Sequence, residues 1–259
     1  MHEDDKSRLR RLPLFREMMT PTFDRLMSIA YVQTFPAQLE LIRQGEYADF
    51  LHVIIEGSVE LHARWNGHSS VMGVVRPVST FILAACVCDE AYLMAARTIE
   101  RSQIVMIPAA DVRVALRHDP DFAMAGMREL ANGYRTFVRH AKNMKLRTSQ
   151  ERLAAYILHL SRCSGDAATV VLPVEKRHLA SYLGMTPENL SRSMKALQDY
   201  GVTMHGMRVT ITDRARLAAV AIPDPLIDGP PITPAIAAEG ASPRRTVKML
   251  VPAGAVPGG

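Results

Sequence analysis

The chain has 259 residues, of which 48% are hydrophobic and 22% charged, and it carries a net charge of +5 with a pI near 9.3. That length holds one large domain or two ordinary ones around a real core, and the mild basicity permits a nucleic-acid partner without requiring one. No uninterrupted apolar run is long enough to span a membrane, the opening MHEDDKSRLRRL has no secretory h-region, and three cysteines make no disulfide framework, so a cytoplasmic location with no membrane partner is expected.

From Arg8 to Ile29 the apolar residues follow a helical period, with Thr20-Pro21 read as an N-cap and first helical position. From about Tyr31 the period becomes two. In Val59-Glu60-Leu61-His62-Ala63-Arg64-Trp65 apolar and polar residues alternate, as in a half-buried strand. Gly45, Gly57, Gly67 and Gly73 break this region at turn-like spacings, which predicts a β-sandwich or barrel of jelly-roll type. The predicted β-rich region with its N-terminal helix covers residues 8–118.

After Asp119-Pro120 a Pro-free stretch runs to about Thr148. Within it Met127, Leu130, Tyr134, Phe137, Ala141 and Met144 are spaced 3, 4, 3, 4, 3. Such a heptad-like seam suits either a two-helix dimer interface, giving a homodimer, or a helix packed on its own β-domain. Residues 119–148 are taken as the dimerisation helix. A helix from Gln150, a short strand at Val170–Leu172, helical pieces Glu175–Leu183 and Pro187–Tyr200, and a strand at Val209–Ile211 then make up a unit over 149–222. Eight of the sixteen prolines fall within residues 223–259, among Gly and Ala, and that tail is expected to be disordered.

The piece around Gly184 has the pattern of a helix-turn-helix. Ala180 is small where two helices cross, and Gly184 suits positive φ in the turn. Thr186 is a good N-cap and Pro187 a good first residue of the second helix. On that helix Glu188, Ser191, Arg192 and Lys195 share one polar face, with Thr186 and Asn189 beside it, and these six are the candidate DNA contacts. Arg can donate twice to guanine O6 and N7, and Glu can accept from cytosine N4. The alternative is a solvated Glu–Arg surface pair. Between Lys176 and Arg216 seven Lys or Arg outnumber three Asp or Glu, which suits a double-stranded DNA backbone.

The stretches QGEYADFLHVIIEGSVEL and ERLAAYILHLSR…LASYLGMTPENLSRSMKALQDYGV resemble the cyclic-AMP receptor protein / fumarate-nitrate reduction regulator (CRP/FNR) family over roughly Leu12 to Val220. The resemblance implies an α+β chain: an N-terminal β-roll (jelly-roll, cyclic-nucleotide-binding-like), a long dimerisation helix and a C-terminal winged helix-turn-helix. It implies a homodimeric transcription regulator with RNA polymerase as a further partner. Glu-x-x-Ser-Arg at Glu188, Ser191 and Arg192 looks like the oxygen-regulator branch, which implies TTGAT-like half-sites in a palindrome. Ser193 departs from the apolar residue that relatives usually carry.

Family members that bind cyclic nucleotides hold the phosphate with Gly-Glu followed about ten residues later by Arg-Ser or Arg-Thr. Here Leu83-Ala84-Ala85 stands near the Gly-Glu position and Arg97-Thr98 falls late, in the following strand, so cyclic AMP is not the expected ligand. The oxygen regulators use four cysteines for an iron–sulfur cluster, and this chain has only Cys86, Cys88 and Cys163. Cys86-x-Cys88, read as a strand, places both thiols on one face, either as a redox switch or as small core residues. An apolar effector pocket is expected at Phe81, Leu83, Tyr92, Leu93 and Met94, with Ile82 beside them. Haem is one candidate cofactor there by resemblance, with His52, His62, His68, His140 or a Met as axial ligand. No P-loop, HExxH or GxSxG occurs, and the expectation is not an enzyme. The alternative is a small-molecule or haem-binding sensor module with vestigial DNA binding.

Overall fold

The computed structural model describes residues 2–229. Three helices open the chain: α1 (Glu3–Arg10), α2 (Pro13–Arg16) and α3 (Thr20–Ile29). Proline occupies the first turn of both α2 and α3, where its missing N–H costs nothing. Eight strands follow: β1 (Tyr31–Phe35), β2 (Glu40–Ile42), β3 (Phe50–Glu56), β4 (Val59–Trp65), β5 (His68–Val75), β6 (Ser79–Phe81), β7 (Ala95–Thr98) and β8 (Ser102–Pro108). They form two antiparallel sheets, β1-β8-β3-β6 and β2-β7-β4-β5, stacked as the expected β-roll. The period of two on β3 explains the stacking. Leu51, Val53 and Ile55 face the helices with Phe15, Val112 and Phe122, while Ile54 faces the second sheet with Val59, Ala96 and Ile104.

Between β6 and β7 lies α4 (Leu83–Cys88), bracketed by Ile82 and Asp89, both in the left-handed region. The strand reading of Cys86 and Cys88 fails here. On a helix, residues two apart point to different sides. Cys86 is buried in the helix-side core and Cys88 is exposed. Burial pushes the Cys86 thiol up to about 12, which keeps it protonated.

Next come α5 (Ala109–His118) and the long α6 (Pro120–Leu146). Asp119 is fully buried, accepts from the Phe122 N–H at 3.0 Å as the α6 cap, and also accepts from the Met19 N–H at 2.8 Å. One carboxylate thus fixes the starts of α3 and α6 together. Phe122 stacks on Phe15 at 5.9 Å, which roots α6 in the β-roll.

The rest is a separate core: α7 (Ser149–Cys163), β9 (Thr169–Val171), α8 (Lys176–Tyr182), α9 (Pro187–Ala196), β10 (Val202–His205), β11 (Arg208–Ile211) and α10 (Arg214–Ala221). A capping box between Thr148 and Glu151 gives α7 its own start and separates it from α6. The sheet β10-β11-β9 is a small wing. The stretch expected to be disordered begins with order: α11 (Pro225–Asp228) packs on α6, and Asp228 takes a bidentate pair from Arg147 at 2.5 and 2.6 Å. Residues 230–259 lie outside the described residues. Among the described residues no helix is long and apolar enough to cross a membrane.

The predicted seam divides. Met127, Tyr134 and Phe137 are 56%, 69% and 63% exposed. Leu130 packs against the β-roll core, and the Met144 side chain lies on the turn at Gly184. The reading of a helix packed on its own chain therefore holds for Leu130 and Met144, while Met127, Tyr134 and Phe137 are left exposed. The stripe left uncovered is Met124, Met127, Ala131, Tyr134 and Val138, spaced 3, 4, 3, 4 and set one step from the predicted register, with Phe137 flanking it.

Candidate DNA-reading helix and sensor cavities

Helices α8 and α9 are set by buried Leu179, Ala180, Leu183 and Leu190, with Ala180 fully buried at the crossing. Gly184 has φ +61°, which a residue with a Cβ adopts only at a cost, and an added Cβ would meet the tip of Met144. The Met185 N–H donates to the Ala180 carbonyl at 2.9 Å and closes the turn. Thr186 caps α9 by accepting from the Asn189 N–H at 3.2 Å, with Pro187 in the first turn.

Arg152 holds this unit to the end of α6, and sequence pattern did not single it out. It is buried, and its guanidinium donates to the Arg147 carbonyl at 2.6 Å and the Leu183 carbonyl at 2.9 Å. The carbonyls of Met144 and Gly184 lie at 3.4 Å. A cation this poor in solvent signals its role only when the carbonyls around it are known.

Glu188, Ser191, Arg192 and Lys195 are exposed along one face of α9. The Glu188 carboxyl is held below its usual range, chiefly by its own backbone N–H, then by the Thr186 hydroxyl, and less by the Arg192 charge. No salt bridge joins Glu188 to Arg192 among the described residues, so neither side chain is spent on the other. Ser191 donates its hydroxyl proton to the Pro187 carbonyl at 2.9 Å and keeps its lone pairs outward. The sixth predicted residue, Asn189, is half-buried, and its amide donates to Ser149 Oγ at 3.0 Å, which ties α9 to the start of α7. Ser193 is buried, so its departure from an apolar residue falls on the packed side of α9.

The five residues expected to line one effector pocket do not meet in one. Phe81, Leu83 and Tyr92 are core residues, Leu93 is 84% exposed, and of the five only Tyr92 lines a described cavity. Of the histidines, His52 and His62 are buried, His140 is half-buried and His68 is exposed. Among the described residues no group of three or more His, Cys, Asp or Glu is arranged to hold a metal ion.

Arg97 lies on β7 beside Glu60 of β4, with Nη2 to Oε1 at 3.1 Å. Its neighbour Ala96 faces the inter-sheet core, so Arg97 points out of the roll. There it meets the C-terminal unit. His178 of α8 approaches Glu60 at 3.4 Å, and Glu60, Arg97 and His178 line a cavity of about 440 Å³ between the units. Close by, the Val71 N–H of β5 donates to Ser181 Oγ of α8 at 2.9 Å, and Arg76 donates to the Pro173 carbonyl at 3.3 Å.

This architecture matches two families in the order they occur along the chain. Residues 32–119 match the cyclic nucleotide-binding domain, and residues 151–220 match the Crp-like helix-turn-helix domain. The chain belongs to the CRP/FNR family. It is a DNA-binding transcription regulator with an effector-binding domain. The cAMP-activated global transcriptional regulator CRP of Pasteurella multocida is 22% identical over 198 residues, covering 74% of this chain and 94% of that one. A protein from Silicibacter pomeroyi is 28% identical, with a TM-score of 0.54 over 85% of this chain and 99% of that one. FixK2 from Bradyrhizobium japonicum shares the fold at TM-score 0.64 and 21% identity, over 74% of this chain and 97% of that one. These relatives make the regulator reading independent of the α9 pattern. The CRP/FNR match also accounts for the β-roll, the long helix and the wing as one inherited plan.

Proposed function

We propose that this CRP/FNR regulator acts as a homodimer on TTGAT-like palindromes and answers to an effector that is not a cyclic nucleotide. The observation that carries the DNA reading is the exposed, unbridged Glu188–Arg192 pair on a sharply capped helix. Placed four residues apart, they can address guanine and cytosine of one base pair, while Ser191 lies toward a neighbour. The homodimer reading is supported by the uncovered stripe on α6, because apolar side chains at heptad spacing find their partner on an identical helix. Two such chains would present two α9 helices to the two halves of a palindrome.

The effector reading rests on charge. A cyclic phosphate in the roll needs a cationic partner. Arg97 is engaged by Glu60 and points toward the helix-turn-helix, and Leu83-Ala84 bring neither a glycine approach nor a carboxylate. Contacts from β5 to α8 give a change in the roll a direct route to the DNA-reading unit. Fluorescence anisotropy with a TTGAT palindrome and a scrambled duplex at one salt concentration tests the DNA reading. Preference for the palindrome by at least about a hundredfold is expected, and equal binding contradicts it. Calorimetry with cyclic AMP tests the effector reading: no saturable heat is expected, and micromolar binding that depends on Arg97 contradicts it.

A further inference from the structure

The β-roll is open along one side, where edge strand β1 of one sheet faces edge strand β2 of the other. A cavity of about 340 Å³ sits there, within the size range of small-ligand sites. It touches neither α6 nor Leu83-Ala84, so it is separate from the place where the family's phosphate cradle would be.

Its chemistry is specific. Phe35, Phe50, Tyr92 and Met106 give it aromatic and thioether walls. His52 also lines it, is 4% exposed, and has an Nδ1 with no hydrogen-bond partner. Burial lowers the His52 pKa to about 4, against a hydrogen bond to the Phe50 backbone, so the ring is neutral at physiological pH. A neutral imidazole has one N–H and one lone pair. Nδ1 is one of these two and meets no hydrogen-bond partner in the apolar cleft, and a buried polar atom left unmatched is costly.

The mouth carries exposed Glu40, Glu46 and Asp49, and no Lys or Arg lines the cavity. Arg43 offsets Glu40 and Glu46 from outside at 3.6 Å each, and Arg64 reaches Glu40 at 3.5 Å. Asp49 has no ion pair among the described residues.

We propose that this cleft binds a small organic amine with an aromatic body. The ring lies among Phe35, Phe50 and Tyr92, a hydroxyl hydrogen-bonds with His52 Nδ1, and the ammonium stays at the acidic mouth near Asp49. The claim concerns binding, and it rests on the effector-domain reading only for its consequence on DNA. Calorimetry without DNA therefore separates the two.

The probes are tyramine, phenethylamine and 4-hydroxyphenylacetate, which respectively have both groups, lack the hydroxyl and reverse the charge. Tyramine should bind saturably, one per chain. Phenethylamine should bind about tenfold more weakly for want of one hydrogen bond, and 4-hydroxyphenylacetate weaker still. His52→Leu should bring tyramine down to the level of phenethylamine, and Asp49→Asn should weaken both amines alike. The comparison of probes on the unaltered protein stands even if His52→Leu fails to fold. Absence of tyramine binding, equal affinity for all three probes, or a folded His52→Leu protein with unchanged tyramine affinity would overturn the proposal.

Discussion

Tyr134→Glu separates the dimer reading from the alternative that α6 serves only its own chain. Tyr134 is 69% exposed, so the folded monomer does not depend on it. A tyrosine offers about 150–250 Å² of surface, which leaves roughly 100–170 Å² per chain for a partner to cover. At about 25 cal/mol per Å² that is roughly 2.5–4 kcal/mol from each chain, as an upper estimate. The substitution removes this from both chains and sets two carboxylates against each other in an apolar seam. The dimer dissociation constant should rise by more than about a thousandfold. Sedimentation velocity at micromolar protein should show a monomer, while thermal unfolding of the monomer changes little. Leu130→Glu is the contrast, because Leu130 is packed on the β-roll and its loss should unfold the chain rather than separate two folded ones. A Tyr134→Glu protein that remains a dimer at micromolar concentration refutes the seam.

Arg152→Met keeps the volume and deletes the donors to Arg147 and Leu183, and should cost about 2–3 kcal/mol in urea unfolding. His52, held neutral in the fold with a pKa near 4 against about 6.5 when unfolded, binds a proton only on unfolding over that window. Its contribution to stability should be intact above pH 6.5 and fall as the pH drops toward 4, by up to about 1.4 kcal/mol per unit, and His52→Phe should remove that slope. Iodoacetamide followed by peptide mapping should label exposed Cys88 and Cys163 in the folded protein and spare Cys86, with equal labelling only after unfolding.

Much of the fold was legible because its signals are local. The strand at β4, the cap at Thr186, and the small-residue and glycine positions of the helix-turn-helix all act over a few residues and lie where expected, although on β4 the polar Glu60 and His62 are buried and Trp65 is exposed. The seam register was not, because a heptad pattern marks apolar positions without saying what covers them. Leu130 and Met144 meet their own chain through contacts distant in sequence. The α4 segment was misread because Ile82 and Asp89 adopt the left-handed conformation without the glycine that usually announces it. The shared exposed face of Glu188, Ser191 and Arg192 on α9 was readable from spacing, whereas the bond of Asn189 to Ser149 was not, since Ser149 lies forty residues away on another helix. The His52 cleft had no sequence signal at all: it exists where two sheet edges fail to close.

The central claim is that α9 reads bases through Glu188 and Arg192, and binding-site selection on the unaltered protein and on Arg192→Ala at one salt concentration tests it most directly. An enriched TTGAT-like palindrome is expected for the unaltered protein. For Arg192→Ala a loss of about 1–3 kcal/mol on that site is expected, with discrimination flattened at a single base pair in each half. A uniform loss across all sequences with base preference unchanged would contradict it, and would leave Glu188 and Arg192 as a solvated surface pair.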